Sequence, residues 1–339
     1  MGPCHIRKEE EVNMKKLTCV AICLVAAFLL SITAPAMAER YWPKKWWPSK
    51  WGAADERGSF NTLTPKRVLS ALKIPRTGKV YRLGRPYSNT MPKFGMRTYS
   101  LHIPGLPVGG PLGDNKIIWN DEFIVCEVGQ VGTQFDGPGH VGIQGDDGVN
   151  RWYNGVELCT SENTYGLKKL GVEKLGPCIT RGVLINMVDR KGRPMEKGEV
   201  ITVTDVEACI KKAGVSPIGE GDCVVFNTGW GRHWEDPATF NAGCPGQGIE
   251  VARYMAERNV SMLSADTWPI DVIPGESETG AFDIHNFMQT VNGIWYLENI
   301  NNAVMDQMAE DGTYEFLWIF VPVPFEGATG SPGDGIAIQ

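Results

Sequence analysis

The sequence predicts a mixed domain of α/β or α+β class, and three observations carry that expectation. Short apolar runs of strand length are interspersed with longer segments of helical period. No period of 20 to 50 residues repeats, which argues against a solenoid or propeller. No Pro/Gly/Ser linker or block of like charge cuts the chain into two domains, although 339 residues would allow two. The composition, 42% hydrophobic and 21% charged, is that of an ordinary globular protein with ample core material. A formal charge of −6 with no dominant basic stretch argues against nucleic-acid binding.

Taken in order, the chain opens with an export signal. Lys15 and Lys16 precede an almost wholly apolar run from Leu17 to Thr33, and Ala36-Met37-Ala38 forms a small-residue cleavage site. Met14 stands where such a leader starts, so residues 1–13 read as a start-site extension. The apolar run is slightly short for a membrane anchor and is followed by Pro35, so cleavage after Ala38 and a periplasmic or secreted mature chain are expected. Residues 39–50 form an arm in which Trp42, Trp46 and Trp47 alternate with Pro43, Pro48 and three lysines. Prolines at this density exclude a regular helix. The expectation is an arm packed on the body or on a neighbouring subunit rather than on a membrane.

The main domain then runs over residues 51–339. Pro65–Lys73 suits a helix capped by Thr64, with Val68, Leu69 and Leu72 on one side. Strands are expected at Val80–Leu83, Ile117–Trp119, Phe123–Val128, Val183–Met187, Val224–Phe226, Ser261–Ser264 and Phe316–Val321. Helices are expected at Thr204–Ala213, acidic at its start and basic at its end, and at Gly248–Arg258. Loops at Gly105–Gly113 and Asn241–Gly248 could border a site. Of the six cysteines beyond the leader, Cys223 lies in an apolar run and reads as a buried free thiol; export would permit disulfides among the others.

The chemistry concentrates in residues 130–140, Gln-Val-Gly-Thr-Gln-Phe-Asp-Gly-Pro-Gly-His. Gln130, Gln134, Asp136 and His140 share parity, so an extended backbone would turn them to one face. The glycines and Pro138 interrupt that extension and suit a rigid loop. This stretch resembles the signature His-x-Gly-Thr-His-x-Asp-x-Pro-x-His of the cyclase family, which includes bacterial kynurenine formamidase and isatin hydrolase. Gly132, Thr133, Asp136, Pro138 and His140 fit it; Gln130 and Gln134 stand where the family has histidines. Similar blocks follow in family order at residues 51–64, 222–230, 265–271, His285, Glu298-Asn299 and 330–333.

The resemblance implies an α/β fold, a single compact domain with a β-barrel-like core and flanking helices. It also implies a divalent metal at Asp136, His285 and Glu298, a proton-handling role for His140, and a homo-oligomer. Glu298 would complete the ligand shell or assist proton movement. If Gln130 and Gln134 also face the ion, the shell is mostly oxygen, which favours Mn²⁺ and admits Mg²⁺, Ca²⁺ or Zn²⁺. The opposing reading turns the glutamine amides toward substrate and loses a metal position. Trp230 and Trp268 are candidates to line a substrate pocket, although core packing is the commoner fate of tryptophan. No G-x-S-x-G elbow, P-loop or Rossmann fingerprint competes. The functional expectation is an exported metal-dependent hydrolase cleaving the C–N bond of a small amide or cyclic amide, kynurenine formamidase-like, with His140 as general base. The alternatives are a non-catalytic periplasmic binding protein with a degenerate metal site and a lactone or ester hydrolase.

Overall fold

The computed structural model describes residues 41–277 and 280–339, so the leader and its cleavage site lie outside the described residues. Tyr41–Gln339 forms one compact unit. Its main sheet contains, in chain order, β1 (Val80–Arg82), β2 (Gln134–Asp136), β3 (Cys178–Asn186), β4 (Cys223–Asn227), β5 (Met262–Ala265), β6 (Trp295–Glu298), β7 (Glu315–Phe320), β8 (Gly330–Pro332) and β9 (Ile336–Ile338). Across the sheet they run β1-β9-β7-β3-β4-β5-β6-β2-β8. The central four, β3 to β6, are parallel, and antiparallel strands extend both edges. The result is a curled half-barrel with flanking helices, the α/β class the sequence predicts.

Parallel strands covered on both faces are apolar throughout, and β4 is buried at all five positions. Alternation divides their side chains between two cores. Val224, Phe226, Val183, Ile185, Leu263 and Tyr296 face one apolar cluster. Cys223, Val225, Leu184, Met262, Trp295 and Leu297 face the other. The first cluster is covered by α2 (Val203–Ala213) and α3 (Ile249–Glu257), which lie in the crossovers between parallel strands. α2 begins with a capping box between Thr202 and Asp205 and ends at Gly214, whose φ of 66° is left-handed and favours glycine. α1 (Pro65–Ala71) is capped by the Thr64 hydroxyl, as expected, but its inner residue is Ala71. Leu69 and Leu72, expected together on one side, are exposed.

The N-terminal arm packs on the body. Ser49 N–H donates to Asn154 Oδ1 at 2.7 Å, Trp46 Nε1 donates to the Trp152 carbonyl at 3.4 Å, and the Arg151 guanidinium lies 5.1 Å from the centre of the Trp47 ring. Gly105–Gly113 belongs to a different feature, a long hairpin of two nested ladders that leaves the sheet between β1 and β2. Tyr99–His102 pairs with Phe123–Cys126, and Gly109–Leu112 pairs with Ile117–Trp119. Consecutive Phe123, Ile124 and Val125 are 54%, 50% and 52% exposed, so both faces of that ribbon lie open. All six described cysteines are free thiols, with Cys223 fully buried.

Phe135 is fully buried in the second core and meets the rings of Phe60 and Phe320 at 6.1 and 5.0 Å. Phe135→Ala should therefore lower stability by about 3–5 kcal/mol in urea unfolding; a loss under about 1 kcal/mol would contradict this packing.

Candidate metal centre and its cavity

Strands β2 and β6 pair antiparallel, with Gln134 opposite Glu298, Phe135 opposite Leu297 and Asp136 opposite Tyr296. The two-residue period sends Phe135 and Leu297 into the second core and turns Gln134, Asp136 and Glu298 to the other face. Glu298 also stands at the carboxyl end of a parallel strand, where open α/β sheets collect ligands. His285 comes from a third piece of chain, the short helix Asp283–His285, which continues into a π-helical turn at Asn286–Val291. Asp136, His285 and Glu298 are all buried, and each offers a ligand atom within 4.8 Å of the others.

The surroundings satisfy these charges closely. His285 Nε2 lies 3.6 Å from Asp136 Oδ2 and 3.3 Å from Glu298 Oε1. Its Nδ1 is 2.6 Å from Asp271 Oδ1, which leaves Nε2 as the nitrogen aimed at the cluster. Three glutamines contribute amide N–H groups: Gln130 Nε2 to Asp136 Oδ1 at 2.9 Å, Gln289 Nε2 to Asp136 Oδ2 at 3.3 Å, and Gln134 Nε2 to Glu298 Oε2 at 3.0 Å. Backbone N–H of Ile270 donates to Glu298 Oε1 at 3.2 Å. The loops are latched by Asn299, whose Nδ2 donates to the Gly132 carbonyl at 2.8 Å, and by Thr133 Oγ1, which donates to the Asn299 carbonyl at 3.0 Å. Gly132 has a φ of 65°, and a Cβ there would meet the Tyr87 ring at 2.6 Å.

Burial and mutual repulsion set the protonation of the cluster. Burial, reinforced by the Asp136 charge, pushes the Glu298 carboxyl up to about 8. Burial also opposes ionisation of Asp136, but the His140 and His285 imidazoles and the Gln130 amide outweigh it and hold that carboxyl below its ordinary value. Burial disfavours the charged form of His285, yet Asp271, Asp136 and Glu298 overcome this and raise it well above its ordinary value. His140 sits on the cavity wall with Nε2 3.6 Å from Asp136 Oδ2, and burial lowers its pKa, so it is a neutral base near pH 7.

The donor set fits a divalent ion. It supplies two carboxylates and one imidazole nitrogen, and Gln130 Oε1 is buried without a partner. Turning the Gln130 amide over would exchange that oxygen with Nε2, which now faces Asp136; an ion beside the carboxylate would favour the turned form. Above the cluster lies a cavity of about 320 Å³, lined by Phe94, Arg97, His140, Trp268 and Phe282 among others.

The predicted residues Gln130, Gln134, Asp136, His140, His285, Glu298 and Trp268 meet in this one place. Only Gln134–Asp136 is strand; Gln130 reaches the site from a turn, so the shared face comes from loop geometry as much as from alternation. Trp230 does not line the cavity, although it shares an apolar cluster with Trp268. Its indole packs in an apolar cluster with Trp234 and Phe240 and donates to the Phe240 carbonyl at 3.3 Å. Asp271 and Gln289 join the site without having been singled out. Asp271 lies inside the block at 265–271, and Gln289 follows His285 by four residues, the spacing that shares a helix face. Phe94 and Arg97 carry no such signal.

The Cyclase family profile matches residues 81–272, more than half of the chain. A crystal structure of a novel cyclase superposes with a TM-score of 0.75 at 28% identity, covering 86% of this chain and 98% of that one. Isatin hydrolase A from Ralstonia solanacearum superposes with a TM-score of 0.57 at 21% identity, covering 80% of this chain and 94% of that one. An isatin hydrolase bound to the product analogue thioisatinate gives 0.54 at 18% identity, covering 81% and 98%. The likeness to the two isatin hydrolases speaks to the fold. No curated protein sequence matches the chain.

The protonation pattern sets a sign for metal loading. A divalent ion must displace the protons held on Glu298 and His285, so affinity should rise with pH up to about 8, where Glu298 ionises. Each displaced proton contributes roughly tenfold per pH unit below that point. Mn²⁺ titrations at pH 6, 7 and 8 measure this, and a pH-independent affinity would contradict it.

Proposed function

The chain belongs to the cyclase family, and from that premise we propose that it is an exported, metal-dependent hydrolase cleaving a C–N bond of a small amide or cyclic amide. The observation that carries the reading is the buried Asp136–His285–Glu298 cluster with His140 beside it at the base of an open cavity. Kynurenine formamidase-like or isatin-like substrates are the first to try, since two structures of similar fold are isatin hydrolases. Mn²⁺ is the favoured ion, given two carboxylates beside one imidazole. Export rests on the sequence of residues 14–38 alone.

Asp136, His285 and Glu298 would hold the ion, with Asp271 fixing the His285 ring. When bound, it supplies Lewis acidity, polarising an amide carbonyl and making water easier to deprotonate. His140, neutral through burial, accepts a proton as water adds to the carbonyl carbon. It then returns that proton to the departing nitrogen as the C–N bond breaks, leaving an acid and an amine. Trp268 and Phe94, stacked 4.0 Å apart, wall the cavity and limit access of bulk water.

A second reading, a metal-free small-molecule-binding protein, is favoured by the amide donors, because Gln130, Gln134 and Gln289 already bond both carboxylates. Elemental analysis separates the two. The hydrolase reading expects about one divalent ion per chain after loading; a protein that takes up none supports the binder. His140→Ala should then lower turnover of aryl formamides, cyclic amides or lactones by roughly 10²–10⁴-fold while metal content stays unchanged. Unaltered turnover would remove His140 from the mechanism.

We also propose that the long-hairpin excursion docks on a second copy of the chain. A two-stranded ribbon open on both faces is not stable on its own, and Phe123, Ile124, Val125, Ile117, Ile118 and Trp119 leave apolar side chains exposed on its two faces. Light scattering should show a dimer or larger oligomer for the wild type and a monomer for Ile124→Asp. A monomeric wild type at micromolar concentration would refute it.

A further inference from the structure

Three polar side-chain atoms near the metal centre are buried with no hydrogen-bond partner among the described residues: Gln130 Oε1, Asn299 Oδ1 and the Trp268 indole Nε1. Asn299 and Trp268 are only 5% and 8% exposed. Each of the three side chains is held by its other contacts. Gln130 Nε2 donates to Asp136 Oδ1 at 2.9 Å, and Asn299 Nδ2 donates to the Gly132 carbonyl at 2.8 Å. The Trp268 ring stacks on Phe94 at 4.0 Å with 17° between planes. Moving any of them toward solvent would break a contact already made, and a buried polar atom left unpaired is costly.

The same three residues line one narrow space that adjoins the metal cavity. Its volume is about 10 Å³, against about 320 Å³ for the cavity. That is room for a single water molecule. The chemistry of the lining points to the same occupant. A cation would meet the positive end of the indole N–H, and the Arg97 side chain also borders the space. An anion would meet two amide oxygens. Water suits all three atoms at once: it accepts from Trp268 Nε1–H and donates its two hydrogens to Gln130 Oε1 and Asn299 Oδ1. Three bonds are the usual complement of a buried water.

We propose that this space is a binding site for one structural water, which joins Trp268, Asn299 and Gln130 and holds the Gln130 amide with its N–H toward Asp136. With the amide turned over, the water would receive two N–H groups and keep one hydrogen without an acceptor. It therefore opposes the turn that an ion beside Asp136 favours. Gln130 then serves as an amide donor to Asp136, and the ion is held by Asp136, His285 and Glu298 without a Gln130 oxygen. The site is independent of whether the chain hydrolyses or only binds its ligand.

Crystallography of the wild-type protein, with and without Mn²⁺ loading, tests the site directly. One water peak without anomalous signal is expected in both crystals, about 2.7–3.2 Å from Gln130 Oε1, Asn299 Oδ1 and Trp268 Nε1. No Gln130 atom should lie within about 2.6 Å of the ion. An anomalous peak in the space, no density there, or a Gln130 atom on the ion would each overturn the proposal. The crystal without Mn²⁺ keeps the test decisive for a protein that takes up no metal. A solution measurement is independent of the lattice: the Trp268 indole resonance, identified by its loss in W268F, should show a cross-peak to a long-lived water. An indole proton with no water cross-peak would count against the site.

Discussion

Two carboxylates, Asp136 and Glu298, face the same way on neighbouring antiparallel strands at the closed end of a sheet, and both are about 1% exposed. Burying two carboxyl groups side by side disfavours ionising both, and Glu298 accordingly keeps its proton up to about pH 8. Much of the local structure answers that constraint. His285 is threaded between them, Asp271 holds the imidazole from behind, and three glutamines with one backbone amide occupy the remaining oxygens. The π-helical turn brings Gln289 to the same point as His285.

The constraint reaches into the core through the strand period. Phe135 and Leu297, flanking the two carboxylates, are anchored in the second core, so Asp136 and Glu298 cannot rotate to solvent without unpacking it. Farther along the strand ends, Asp266 accepts from the Thr228 amide and hydroxyl and from the Gly231 amide at 2.7–2.9 Å, tying the exits of β4 and β5 together. The chain departs from the family signature within this framework rather than outside it. Gln130 and Gln134 keep the positions and give the site amide hydrogens in place of imidazole nitrogens.

Above this rigid floor the cavity is built from segments of another kind. Phe94 and Arg97 belong to the excursion that rises between β1 and β2, and Phe282 has a φ of 53°, uncommon for a bulky side chain. Residues 94 and 97 stand at the root of the long hairpin and also line the cavity.

Much of this was legible in the sequence for physical reasons. Strands such as Cys223–Asn227 are short, continuously apolar and bounded by turn residues, and α2 announces itself by cap, charge gradient and terminal glycine. The motif at 130–140 and the blocks around His285 and Glu298 identified the family and located the polar cluster before any coordinates. What the sequence could not decide was which groups meet. A tryptophan reads alike in a pocket and in a core, and of Trp268 and Trp230, which share one apolar cluster, only the packed structure shows that Trp268 also lines the cavity. Glutamine reads alike as oxygen ligand and amide donor, and only the neighbouring carboxylates turned Gln130 and Gln134 toward donation. Local pattern encodes burial and backbone shape; partnership across 150 residues depends on the packed sheet that brings Asp136 to His285.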